Sequence, residues 1–235
     1  MREQRTDATQ VAMKGADMFT TDTLSTDGAA WLAIGATLVS ALALVALHGL
    51  SPEFHPSWRM VSEYANGRHR WVLTVVFLAW ALGSFALALA LRPLGSGWLG
   101  VAGLVVLVLA GVGQAMGGLF DVNHRLHGTA FAIGVPALPI AAILLTFAAR
   151  KAGLAMPVWA AALPILSVAV MAVSMAMLFS SLKAAGITLT PGGPPLAALP
   201  EGVSAWNGWA NRFVFASYYL WVILAGRAVL AASPG

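Results

Sequence analysis

The residues able to do chemistry crowd into positions 118–128, GLFDVNHRLHG, where Asp121, Arg125, His124 and His127 sit between two long apolar runs. Asp121, His124 and His127 step by three. On a continuing helix that spacing puts them along one broad face, where they could share a proton or a divalent metal. The spacing matches no established zinc motif, so Asp121, His124 and His127 stand as candidate metal ligands only. A second group, Ser62-Glu63-Tyr64, lies just ahead of another apolar run. A serine beside a carboxylate suits a nucleophile. It also suits an ordinary helix N-cap, with the glutamate favoured by the dipole of the first turn. The third is Arg212, expected at the start of the last apolar run. A cation there opposes the positive end of the helix dipole and calls for a partner: Asp121, Glu63 or an anionic ligand. An ion pair between Asp121 and Arg212 is the expected arrangement.

The elements that must position these groups follow from composition. Of 235 residues, 59% are hydrophobic and 9% charged, far from the roughly one quarter charged of soluble domains. About twenty apolar residues cross a bilayer core as a helix. Six runs of that length occur, at about 29–50, 71–91, 99–120, 128–149, 158–181 and 212–231. Nothing shows the alternation of a membrane β-barrel. The expected fold is therefore all-α: a polytopic integral membrane protein built as a bundle of six transmembrane helices over residues 29–231. Residues 1–28 hold five of the nine acidic residues and no apolar period, so they read as a flexible cytoplasmic tail. The first run lacks a short core followed by a cleavage site and is expected to remain as a span. Pro136 and Pro139 in the fourth run and Pro164 in the fifth permit kinks. In the third, Gly111, Gln114, Gly118 and Asp121 line one face, which should meet protein. Most tryptophans fall near predicted ends, as an interfacial belt would have them.

With six spans the connections sort by chemistry. Those after the second and fourth runs, with the C-terminal end, carry Arg92, Arg150, Lys151 and Arg227 but no acid or histidine. Those after the first, third and fifth, with the adjoining helix ends, carry every histidine and every acidic residue beyond the tail. Solvation alone would scatter such groups over both faces. Lone cations in the short loops favour both termini in the cytoplasm of a plasma-membrane protein, with the polar face outside. The 13 Lys and Arg make no basic stripe, which excludes a nucleic-acid partner. The absence of cysteine excludes disulfides, thiolate metal sites and cysteine nucleophiles. Haem is disfavoured, because all five histidines lie at the rim of the bundle. The proline- and glycine-rich segment 188–200 is expected as a connector or flap over the polar face.

Ser62-Glu63-Tyr64-Ala65-Asn66-Gly67 before the second run, Asp121 after Gly118-Leu119-Phe120, His127 opening the fourth and Asn211-Arg212 opening the sixth together resemble the "domain of unknown function 998" membrane proteins, over roughly residues 29–230. The resemblance implies six helices with a shared polar face, and Ser62, Glu63, Asp121, His127 and Arg212 as characteristic polar positions. The residues are expected to converge on one pocket. There His127 with Asp121 serves as general base, Ser62 beside Glu63 or a metal-bound water attacks, and Arg212 and Tyr64 hold the substrate. The function expected is a hydrolase or transferase acting on a lipid or lipid-linked headgroup. The alternative is a non-enzymatic binding, transport or accessory protein whose polar groups are structural ion pairs. No charged residue lies mid-span, which disfavours coupled transport of a charged solute. Oligomeric state is open.

Overall fold

A computed structural model describes residues 23–187 and 196–233, and in the first helix gives side chains from Thr26 onward. Most of the tail, and residues 188–195 of the expected flap, lie outside the described residues. Six α-helices follow in chain order: α1 Thr23–Leu50, α2 Arg70–Ala90, α3 Trp98–Leu119, α4 His127–Lys151, α5 Val158–Ala184 and α6 Asn207–Ala232. Two 3-10 turns, Val61–Asn66 and Arg92–Ser96, precede α2 and α3. No strand occurs among the described residues. All six helices are long and apolar enough to cross a membrane, so the chain is a multi-pass membrane bundle.

Each helix packs against its neighbours in the chain, and α1 closes the ring on α6. The central member is α6, 61% buried along its span, whereas α5 is only 22% buried and lies at the edge. In lipid, apolar burial alone gives helices no reason to prefer one another. Close approach and interhelical hydrogen bonds do. Both are present. A Cβ built on Gly113 of α3 would stand 2.4 Å from the backbone of Gly134 in α4, so only glycine permits this crossing. Ser40 of α1 donates to Val76 O of α2 at 2.7 Å and lies 2.7 Å from the Tyr219 hydroxyl of α6. Trp221 Nε1 donates to Thr146 Oγ1 of α4 at 3.1 Å, and Ser217 to Ser167 of α5 at 2.8 Å. The Gln114 amide donates to Ser84 Oγ at 2.7 Å and accepts from Trp80 Nε1 at 3.3 Å.

Pro136 and Pro139 do not interrupt α4, which runs through both. Pro139 cannot donate to Val135 O, the carbonyl four residues back. The Tyr218 hydroxyl of α6 donates to it instead, at 2.6 Å. Trp31, Trp71, Trp98, Trp159 and Trp209 are exposed near helix ends, whereas Trp80 and Trp221 are buried in the bundle. Two helices start well before the sequence boundaries: α1 at Thr23 rather than 29, so that residues 23–28 of the expected flexible tail are helical, and α6 at Asn207 rather than 212. Asn207, Asn211 and Arg212 interrupt the apolar pattern but are all buried. Their helical spacing turns them inward, onto the loop described next.

Candidate functional site

Residues 51–69, between α1 and α2, fold over the start of α6. Four successive stations are held. Gly208 N donates to Ser57 O at 3.0 Å, Asn207 Nδ2 to Trp58 O at 2.8 Å, Arg212 Nη1 to Arg59 O at 2.8 Å, and Val61 N to Asn211 Oδ1 at 2.9 Å. Residues 207, 208, 211 and 212 share one helix face at i, i+1, i+4 and i+5, which is how one helix can grip a run of turn backbone. Gly208 is required there, because a Cβ would lie 2.4 Å from Pro56 O and 2.8 Å from Trp58 N.

Arg212 is only 8% exposed, one turn inside α6 rather than at its start. Its Nε donates to His48 Nε2 at 2.7 Å, Nη1 also to Gly208 O at 3.0 Å, and Nη2 to the Tyr64 hydroxyl at 3.1 Å. His48 Nδ1 lies 2.7 Å from Leu44 O; a carbonyl only accepts, so Nδ1 carries the proton and Nε2 is the acceptor for Arg212. Four of the five guanidinium donors are thus used within the protein. The expected pairing with Asp121 is absent. Among the described residues the only ion pair is Arg59–Glu63, at 2.6 Å. Neutral acceptors surround Arg212, and Tyr64, fully buried, is one of them.

Glu63 is likewise committed. Oε2 meets Arg59, and Oε1 accepts from Met60 N at 2.9 Å, so Glu63 caps the 3-10 turn Val61–Asn66. The cap expected of Ser62 is therefore made by its neighbour. Among the described residues the half-buried Ser62 hydroxyl makes no hydrogen bond.

Residues 120–126 do not continue α3, and this breaks the expected common face of Asp121, His124 and His127. Asp121 Oδ1 closes a local turn by accepting from Asn123 N at 2.9 Å. His124 stacks on Phe120 with ring centroids 4.7 Å apart, and its Nδ1 accepts from Leu126 N at 3.1 Å. His127 Nδ1 donates to Phe120 O at 2.9 Å. Each is aimed at a different local partner, and among the described residues no group of three or more His, Asp or Glu side chains is placed to hold a metal. The carbonyl of Phe120, not Asp121, orients the His127 ring.

What the fold does bring together is Ser62 and His127. Both line a cavity between α2, α3, α4 and α6 with about 60 Å³ of room for the centres of water-sized molecules, enough for several waters. Its walls are Phe77 and Trp80 of α2, Gly113, Gln114 and Gly117 of α3, Ala130, Phe131, Gly134 and Val135 of α4, and Asn211, Val214 and Phe215 of α6. Gln114 and Asn211 already hold protein partners. Ser62 Oγ and His127 Nε2 have none among the described residues. Asp121 lines a separate cavity, and Glu63 and Arg212 line neither.

Sequence reasoning overlooked Asn207 and Arg59 and left His48 unplaced. The i, i+4, i+5 spacing of Asn207, Asn211 and Arg212 just ahead of an apolar run was a signal for a buried polar face.

No curated protein and no solved structure matches the chain significantly. The model of a family described as "Protein of unknown function (DUF998)" matches residues 33–228. Most of the bundle, the gripped loop and the cavity lie within that match, and the chain belongs to this family.

Proposed function

We propose that the protein binds an amphiphilic, lipid-like molecule in the cavity shared by α2, α3, α4 and α6. Its apolar part lies against Phe77, Trp80 and Phe215, and its polar end is held by Ser62 and His127. The observation that carries this reading is the pairing of an apolar, aromatic-walled cavity with two polar side chains that retain hydrogen-bonding capacity, the usual make-up of a small-molecule site. The bilayer supplies such molecules at the required depth. The reading includes both termini in the cytoplasm of a plasma-membrane protein, with the end bearing residues 51–69 outside, because lone cations mark the opposite loops.

The test is photolabelling of the purified protein in nanodiscs containing a phospholipid with a diazirine on its acyl chain. Label is expected on Phe77, Trp80, Phe131 or Phe215, and Ala130→Leu, which fills the cavity, is expected to remove it. Label confined to lipid-facing positions such as Leu42 and Val45, 69% and 68% exposed, overturns the reading.

A second reading, hydrolysis or acyl transfer on a lipid ester, is favoured by one detail. His127 Nδ1–H donates a hydrogen bond to Phe120 O, which leaves Nε2 as the acceptor nitrogen of a residue that lines the same cavity as Ser62. In that reading Nε2 takes the hydroxyl proton as Oγ attacks the ester carbonyl, then returns it to the departing alcohol, and water clears the acyl-serine. Trapping Ser62 with a lipophilic fluorophosphonate, with loss in His127→Gln, supports it; no adduct on Ser62 leaves the binding function alone.

A further inference from the structure

Beyond that cavity, we infer a second site, for the headgroup of a zwitterionic phospholipid bearing a primary amine, between the start of α2 and the end of α3. Arg70, Thr74 and Asp121 line a hollow of about 260 Å³ there. It is predominantly polar in its lining, unlike the first cavity, and Gly117 forms part of the wall of both.

Two features define its ligand. The first is charge. Arg70 and Asp121 face one hollow, yet among the described residues they form no ion pair. Asp121 uses Oδ1 for its local turn and keeps Oδ2, and the exposed Arg70 guanidinium makes no hydrogen bond among the described residues. Two opposite charges that share a cavity without closing on each other are matched by a molecule carrying both. A phosphate bonds the planar fork of Arg70, and an ammonium donates to Asp121. The second feature is depth. Trp71 and Leu119, 64% and 66% exposed, also line the hollow, at the ends of two spans where headgroups lie. A membrane lipid is therefore the source, rather than a solute. The carboxylate selects among lipids, because ethanolamine offers N–H donors and choline offers none.

The experiment is native mass spectrometry of the full chain released from nanodiscs holding equal phosphatidylethanolamine, phosphatidylcholine and phosphatidylglycerol with identical chains. The wild-type protein is expected to retain the ethanolamine lipid about tenfold over the choline lipid, the discrimination of one charge-assisted hydrogen bond. Asp121→Asn should bring the two to parity, and Arg70→Gln should lower retention of all three. Parity in the wild-type protein overturns the proposal without need of any variant, and so does an unchanged preference in Asp121→Asn. Soluble O-phosphoethanolamine serves as the second probe. If it raises the melting temperature as much as the lipid does, the site belongs to the soluble compound and the lipid assignment fails. Because the readout is headgroup preference rather than acyl-chain labelling, this result stands apart from that for the cavity.

Discussion

The loop clamp around Arg212 and the cavity around Ser62 and His127 are built from the same polar end of the bundle, yet Arg212 and the pair Ser62 and His127 treat hydrogen bonds in opposite ways. At the centre of the clamp Arg212 spends four bonds on His48, Arg59, Gly208 and Tyr64, and Asn211 takes Val61 N, while at its margins Arg59 Nε and Asn207 Oδ1 are buried without a partner among the described residues. At the cavity, Ser62 Oγ and His127 Nε2 are left over. Burying an arginine among neutral acceptors is tolerable only when its donors are satisfied, so saturation marks a part that holds shape. Spare capacity beside an apolar cavity is what the proposed binding function draws on. Residue type alone makes no such division, since serine, histidine, glutamate and arginine all look equally reactive in a sequence.

The sharpest way to break this comparison is at the clamp. Arg212→Gln strands buried acceptors on three elements, and the loss of stability in detergent is predicted at about 3–5 kcal/mol. Arg212→Lys should rescue little, because a point cation cannot reach acceptors spread around a fork. A melting temperature close to wild type for either variant would remove the clamp. Gly208→Ala comes next. Its methyl meets backbone at 2.4 Å, so the loop must lift, at an expected cost of about 1–3 kcal/mol. Limited proteolysis at residues 51–60 should then accelerate; protection equal to wild type would show that the loop does not depend on that contact. The smallest stability effect belongs to the cavity. Ser62→Ala and His127→Gln are each expected within about 0.5 kcal/mol of wild type in denaturation, while lowering retention of the labelled lipid. Large destabilisation by both would merge the two regions into one structural unit.

The bundle was legible in the sequence because a bilayer imposes a length that any spanning helix must meet. The site was legible only in part, and each failure has a cause. Ser62 and Glu63 are adjacent, and either can cap a turn; the carboxylate reaches back to Met60 N, which a one-dimensional pattern does not reveal. Asp121, His124 and His127 keep helical spacing, but α3 stops at Leu119 and the face they would share never forms. Arg212 finds His48 164 positions away, a contact set by the closing of α1 on α6 rather than by local spacing. The start of α6 was missed for the converse reason, since Asn207 and Asn211 read as loop until their burial is seen.

Pro139 gives the cavity wall one further property. Val135 lines the cavity, and its carbonyl is held by a hydroxyl from a different helix because the rung that α4 would form for itself is missing. That stretch of α4 is a joint, and Tyr218 is its pin. Tyr218→Phe removes that donor, and the carbonyl of Val135 is then expected to lose its partner while α4 keeps the rest of its helical bonds. For the amphiphile proposed above the expected consequence is kinetic: Tyr218→Phe should alter its rate of release from nanodiscs more than its affinity, because the loosened stretch of α4 forms part of the cavity wall.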